Sequence, residues 1–267
     1  MREVFTMWRH TQMVVLTALS AAIFAAVLII FKPFVIVPGF TELRPANVFP
    51  FVFALLFGPA GAWGAAIGNL IGDFFGTLGL GSISGVVGNF FLGLVTYKLW
   101  GAIFPNNIAQ TIDSRRKFLG YVGVVLAASA ACALWIAWFN DLLGNVPFAV
   151  LGTVITLNNA VMGIILGPIL LLVLYPRIKR WGLLWTEIME PEEVSPARGG
   201  SLGAVLVAIG SVGGIAFGLV LGFGPASTMG GLGIGAGMLP FLAFIVVGSM
   251  MLGGREQVVA EQTKGVR

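Results

Sequence analysis

Residues 58–76 read GPAGAWGAAIGNLIGDFFG. Glycine recurs at 64, 68, 72 and 76, every fourth position. That spacing puts the four on one face of a helix. Such small-xxx-small faces let a second membrane helix approach closely. Asn69 and Asp73 ride beside the stripe. A carboxylate at a helix contact inside an apolar chain is costly and needs a reason.

The surrounding composition supplies the setting. The chain has 267 residues, 58% of them hydrophobic and 10% charged. A soluble domain carries roughly 25% charged residues. Mean hydropathy is +0.98. Apolar runs fall at about 13–31, 47–57, 61–76, 82–104, 118–139, 147–175, 202–223 and 234–253. Several match the ~20 residues that a bilayer-crossing helix needs. The expected fold class is an all-α polytopic membrane protein. Short alternating strands of the kind a membrane barrel needs are missing. The run at 47–57 is short for a crossing, and Gly58-Pro59 breaks the helix there. Two readings stand for 47–76: two short crossings, or a re-entrant hairpin.

Lys and Arg set the expected orientation. With the N-terminus inside, thirteen of the fifteen fall on the inner side, and only Lys32 and Arg44 lie outside. Both termini are therefore expected in the cytoplasm, with the protein in the plasma membrane. Trp8, Trp63, Trp100, Trp181 and Trp185 fall near the expected inner interface. The first apolar run, 13–31, is longer than a signal-peptide core and reads as a retained helix. Three units are expected: a six-helix core over 1–180, a cytoplasmic linker over 181–200, and two additional transmembrane helices with a short tail over 201–267. The first part of the linker reads as a short amphipathic helix on the membrane surface.

Functional side chains are few. Cys132 is the one cysteine and reads as a packing residue; His10 is the one histidine. No metal site and no cofactor are expected from them. The polar residues instead gather in the outer half. Glu42, Arg44 and Asn47 lie in the first outer loop and at the top of the second segment. Asp73 and Asn89 lie toward the outer ends of the third and fourth. Asn140 and Asp141 close the fifth, and Asn158 and Asn159 lie near mid-membrane in the sixth. Trp135 and Trp138 are placed to stack on a planar ligand. Convergent amides and aromatics in one half of a bundle suggest a small-molecule site open to the outside. Each group also has a structural reading. Asn140 and Asp141 can cap helices, Asp73 with Asn69 can lock two helices, and the tryptophans can belong to an interfacial belt.

Two further small-residue stripes appear. Ala18, Ala22 and Ala26 run down the first helix, with Ala21 and Ala25 beside them; Gly210, Gly214, Gly218 and Gly222 run down the seventh. Taken together, the alanine-striped first helix, the short Pro50 segment, the Gly58-Pro59 turn and the glycine-spaced third helix resemble the substrate-binding S component of energy-coupling factor (ECF) transporters. The resemblance covers residues 1–180. It implies capture of a vitamin or similar micronutrient from outside, docking onto a membrane coupling subunit with two ATPase subunits, and toppling in the bilayer to release cargo. It maps partner docking onto Ala18, Ala22 and Ala26, and the gate onto the region of Glu42, Arg44 and Asn47.

The chain has no G-x-x-x-x-G-K-[ST] loop, so ATP hydrolysis falls to other chains and the protein is not expected to be an enzyme. Metal-type S components carry His after the initiator Met, whereas Arg2 stands here, which argues against nickel or cobalt. No nucleic-acid partner is expected. The alternative function is a stand-alone secondary transporter or channel, which would need a polar path through both halves. An intramembrane enzyme of the prenyltransferase kind would need several aspartates to hold Mg²⁺, and Asn69-x-x-x-Asp73 offers one.

Overall fold

The computed structural model describes residues 1–37, 41–42, 44–105, 111–224 and 230–265. A short helix α1 (Glu3–Thr6) precedes α2 (Thr11–Phe31). Two brief antiparallel strands follow, β1 (Val35–Val37) and β2 (Thr41–Glu42), with Val35 opposite Glu42. Then come α3 (Val48–Phe57), α4 (Pro59–Asp73), α5 (Gly81–Ile103), α6 (Arg115–Leu142) and α7 (Phe148–Arg180). A four-residue α8 (Trp185–Ile188) leads to α9 (Gly200–Ala208) and α10 (Gly214–Phe223), joined by a wider π turn. The chain ends in α11 (Gly230–Met251) and α12 (Arg255–Gly265). Among the described residues, six helical stretches are long and apolar enough to cross a membrane: those beginning at Thr11, Gly81, Arg115, Phe148, Gly200 and Ile234. The all-α polytopic fold class holds.

Helices begin and end for local reasons. Ser114 caps α6. Its hydroxyl accepts from Lys117 N at 3.2 Å. Gly58 adopts φ +54°, a value that suits glycine, and ends α3. Pro59 then starts α4 without losing a helix bond. A Cβ on Gly58 would lie 2.6 Å from the Trp185 ring, which fills the space beneath the turn. Trp185 is fully buried and meets Tyr97 edge-on at 5.6 Å. The linker therefore does not lie on the membrane surface as an amphipathic helix. Its helical part is one turn, and its tryptophan is a core residue. Trp100 is likewise buried, at 2% exposure, whereas Trp8 and Trp181 keep an exposed interfacial character.

Within 47–76 the chain forms two helices that meet at Gly58. Helix α3 is ten residues long. A helix of that length rises about 15 Å, roughly half of a ~30 Å hydrocarbon core. Before α3, Pro45–Asn47 forms one 3-10 turn beside the middle of α7, where Asn47 Nδ2 bonds Asn159 Oδ1. From there α3 runs away from Asn159 to the Gly58 turn, and α4 returns alongside α2.

The glycine stripe packs α4 on α2. An added Cβ on Gly64 would run into Ser20 Cβ, one on Gly68 would lie 2.8 Å from Ala21 O, and one on Gly72 would lie 3.3 Å from Leu28 Cδ1. Gly76 does not share this role. Helix α4 stops at Asp73, and Gly76 sits in the following turn at φ +129° with nothing within 4 Å of its Cβ position. The C-terminal stripe packs too. Gly210 and Gly214 lie against Phe241 of α11, Gly218 against Phe148 and Gly222 against Ala149 of α7. The last two spanning helices are thus fixed to α6 and α7, not to α2.

The end of the bundle that carries the N-terminus is tied by a buried charge cluster. Lys98 Nζ meets Glu3 Oε1, both side chains at 0% exposure, and also donates to Leu252 O at 2.8 Å. Tyr97 OH donates to Glu3 Oε1 at 3.3 Å, and Ser195 N to Glu3 Oε2 at 3.2 Å. His10 pairs with Glu193 at 2.6 Å. One carboxylate thus joins α1, α5, the linker and, through Lys98, the end of α11.

Candidate functional site

A cavity of about 410 Å³ lies between the far ends of α4, α5, α6 and α7, under the Arg44–Asn47 segment. Seven asparagines line it: Asn47, Asn69, Asn89, Asn140, Asn145, Asn158 and Asn159. The sequence holds nine, and the other two, Asn106 and Asn107, fall outside the described residues. One carboxylate, Asp73, and one guanidinium, Arg44, join them. The apolar lining is aliphatic: Ile136, Leu143, Leu151 and Ile155 on one side, and Leu78 and Leu80 on the turn between α4 and α5.

One wall is a continuous hydrogen-bond relay. Arg44 Nη1 donates to Asn69 Oδ1 at 3.0 Å, and Asn69 Nδ2 to Asp73 Oδ2 at 3.2 Å. Asp73 Oδ1 accepts from Thr77 Oγ1 at 3.0 Å, which accepts from Lys32 Nζ at 2.7 Å. The four-residue steps from Asn69 to Asp73 and on to Thr77 bring successive side chains onto one face. Two cations and two neutral donors thereby surround the buried carboxylate. Asp73 sits beside a glycine face for this reason: the glycines bring α2 close, and Lys32 at its end reaches the same network.

The opposite wall is amide. Asn140 Nδ2 donates to Ser84 Oγ at 3.2 Å and to Ile136 O at 2.9 Å, and its Oδ1 accepts from Asn145 Nδ2 at 3.1 Å. Asn89 Nδ2 donates to Gly85 O at 2.9 Å, and its Oδ1 has no bond among the described residues. At the bottom, Asn158 Oδ1 accepts from Arg44 N at 3.2 Å. Asn47 Oδ1 and Asn159 Nδ2 are buried and unpaired among the described residues. A buried amide left unpaired costs roughly 1–3 kcal/mol, so such groups are rare without a partner. Below this level the core is apolar, with Phe51, Val52, Leu55, Leu56, Leu92 and Val95 all at 0–1% exposure. The polar lining does not continue through the bundle.

Of the residues singled out from sequence, Arg44, Asn47, Asp73, Asn89, Asn140, Asn158 and Asn159 meet around this one cavity. Three others do not line it in the described structure. Trp135 stacks on Phe91 at 5.5 Å and 14°, and touches Trp138 edge-on at 5.8 Å. Trp138 Nε1 donates to Gly235 O at 3.0 Å, holding α11 against α6. Both rings are engaged in helix packing, and neither lines the cavity. Asp141 caps α7 instead. Its Oδ1 accepts from Phe148 N at 3.0 Å. Glu42 belongs to β2 by its backbone, and its side chain lies outside what is described. Sequence reasoning missed Asn145, Ser82 and Cys132 as lining residues and gave Asn69 only a packing role. The readable signal was the clustering of nearly every asparagine toward one end.

The first-helix stripe divides into two faces. Ala21 and Ala25 are buried at 3% against α4, whereas Ala18, Ala22 and Ala26 are exposed along with Val15, Leu19 and Ile30. No curated protein and no solved structure matches the chain. A family model described as QueT transporter matches residues 14–176, which is most of the six-helix core and more than half of the chain. The membrane-spanning core, its cavity and its matched span agree, and the chain belongs to the QueT transporter family of ECF transporter S components.

Proposed function

We propose that this chain captures a queuosine precursor from outside the cell and delivers it to an ATP-driven ECF module. The family supports a micronutrient-uptake S component in general. The observation that carries the finer reading is the gathering of seven asparagines and one carboxylate around a single aliphatic cavity. Queuosine precursors are substituted 7-deazaguanines, flat bicycles whose edges alternate N–H donors and C=O or ring-nitrogen acceptors. Amides can answer both kinds of edge, and a carboxylate suits an adjacent pair of N–H donors. Asp73 is assigned that second role, with Asn89, Asn140, Asn158 and Asn159 meeting the remaining edges. Ile136, Leu151 and Ile155 cover the flat faces, work that was expected of tryptophan. The cavity volume falls within the ~300–1,000 Å³ of small-molecule sites.

Arg44 and Asn47 form the lid in this reading, since both bond across the cavity to α4 or α7. The exposed Ala18, Ala22 and Ala26 face is the docking surface for the membrane coupling subunit, which two ATPase subunits serve. The excess of Lys and Arg at the end carrying the N-terminus supports cytoplasmic termini. The cavity then opens outward. The apolar core below Asn159 disfavours a stand-alone channel.

Purification of the tagged chain from its native membranes in gentle detergent tests the assembly. Two ATPases and a coupling subunit are expected to co-purify. Recovery of the chain alone, under conditions that preserve other ECF complexes, would contradict it.

A further inference from the structure

A second cavity, of about 360 Å³, lies at the opposite end of the bundle from the asparagine site. Arg2, Arg198 and Arg255 line it, with Glu192, Ser195 and Met250. The guanidinium groups of Arg2 and Arg198 have no bond among the described residues. Arg255 has only a 3.8 Å contact to Glu192, which is 75% exposed. An ion pair that long and that wet contributes little. The Met1 ammonium, which also lines it, is paired with Glu3 at 3.3 Å, and the three guanidiniums against the Glu192 carboxylate leave a net charge of +2 around one cavity. A cleft lined by one sign of charge focuses its field and attracts a counter-ion.

Four stretches build the cavity: the N-terminal arm, the linker, the end of α11 and the start of α12. Backbone bonds fix them to each other. Arg2 N donates to Ser195 Oγ at 2.8 Å, Arg198 N to Met251 O at 2.9 Å, and Gly254 N to Ser195 O at 3.0 Å. The cavity therefore sits level with the last turn of the apolar helix α11, where a bilayer changes from hydrocarbon to headgroup. Met250 stands at its edge, 55% exposed, and offers an apolar surface beside the arginines. Phosphate is the anion that guanidinium recognises best, through paired N–H donors. A basic pocket at helix ends on the cytoplasmic side is a lipid-headgroup environment.

We propose that this cavity binds the phosphate of an anionic phospholipid, with Arg2, Arg198 and Arg255 on the headgroup and Met250 beside the first acyl carbons. All of its lining residues lie outside the span that the family model matches, so the site belongs to the added parts of this chain. A lipid bound there pins the linker and the C-terminal helix pair to the core at the membrane surface.

The test uses the full chain in mild detergent, washed free of lipid and titrated with phosphatidylglycerol or phosphatidylcholine. Native mass spectrometry counts retained lipid, and thermal unfolding reads stabilisation. Phosphatidylglycerol is expected to be retained about tenfold more tightly and to raise the melting temperature on its own. Arg198→Gln and Arg255→Gln should each weaken retention about fivefold, and both together should abolish the preference. Their side chains are exposed, so unfolding without lipid should stay at the wild-type temperature. Arg116→Gln, an exposed arginine at the same end but outside the cavity, should change nothing. Equal retention of both lipids, or an equal loss in Arg116→Gln, overturns the proposal. So does full stabilisation by millimolar inorganic phosphate without retained lipid, which makes the site one for a soluble anion.

Discussion

The Arg44 guanidinium donates to Asn69 Oδ1 at 3.0 Å, tying the segment that covers the asparagine cavity to the helix that carries Asp73. The Arg44 backbone amide bonds Asn158 on α7 at 3.2 Å. One residue thus fastens that segment to two walls. A hydrogen bond from a charged donor is worth about 1.5–3 kcal/mol. Arg44→Ala is therefore expected to weaken substrate binding roughly 10- to 100-fold and to speed release. Arg44→Lys keeps the charge but not the fork, and should fall between. Calorimetry and stopped-flow release rates check both, and wild-type values in Arg44→Ala would remove the lid role.

Ala22 lies on the exposed face of α2, opposite the buried Ala21 and Ala25. Ala22→Trp should abolish uptake, and co-purification of the coupling subunit, while leaving substrate affinity within about twofold, because the change is remote from the cavity. Unchanged uptake would return the stripe to the lipid-facing surface.

Gly68 packs where a Cβ would lie 2.8 Å from Ala21 O and 2.9 Å from Phe24. Backbone cannot yield as a side-chain tip can. Gly68→Val should separate α2 from α4 and cost about 1–3 kcal/mol of stability. Gly79→Ala, with nothing within 4 Å, should be near neutral. Thermal unfolding of the two variants side by side distinguishes close packing from simple glycine content.

The buried Glu3–Lys98 pair predicts a pH dependence. Burial raises the Glu3 carboxyl, but the charges around it, Lys98 foremost, more than reverse this and hold it at about 2. An unfolded glutamate titrates near about 4.3. A carboxyl depressed by folding stabilises the protein above the unfolded value, and the contribution fades as pH falls toward the folded one. Wild-type stability should therefore drop between about pH 4.5 and about pH 2. Glu3→Gln should flatten that window and lose about 3–5 kcal/mol at neutral pH, since it strands a buried ammonium. Denaturation across that range in both proteins reads the difference directly.

The fold was legible because bilayer-length apolar runs leave few alternatives. The glycine stripe marked the packing face of α4 from Gly64 to Gly72 without naming α2 as its partner, and Gly76 escaped because a period says nothing about where a helix stops. The cavity was legible as an excess of amides toward one end. What could not be read was how aromatic rings divide between ligand and neighbour. Trp135 and Trp138 sit at the right height, but Phe91 and Gly235, distant in sequence, take up their ring and N–H. The Glu3–Lys98 contact was hidden for the same reason, since its partners lie far apart in the chain. Trp185 looked interfacial because nothing local shows that Gly58 leaves a gap for its ring.

The central claim is that the asparagine cavity holds a deazaguanine base. The most direct measurement is a calorimetric titration of the purified chain with a 7-deazaguanine queuosine precursor, run beside Asp73→Asn and Asn159→Ala. Saturable one-to-one binding is expected, weakened about 10-fold or more in each variant, the equivalent of a lost buried hydrogen bond. Saturable binding with wild-type affinity in both variants, or no binding at all by a folded protein, would contradict it.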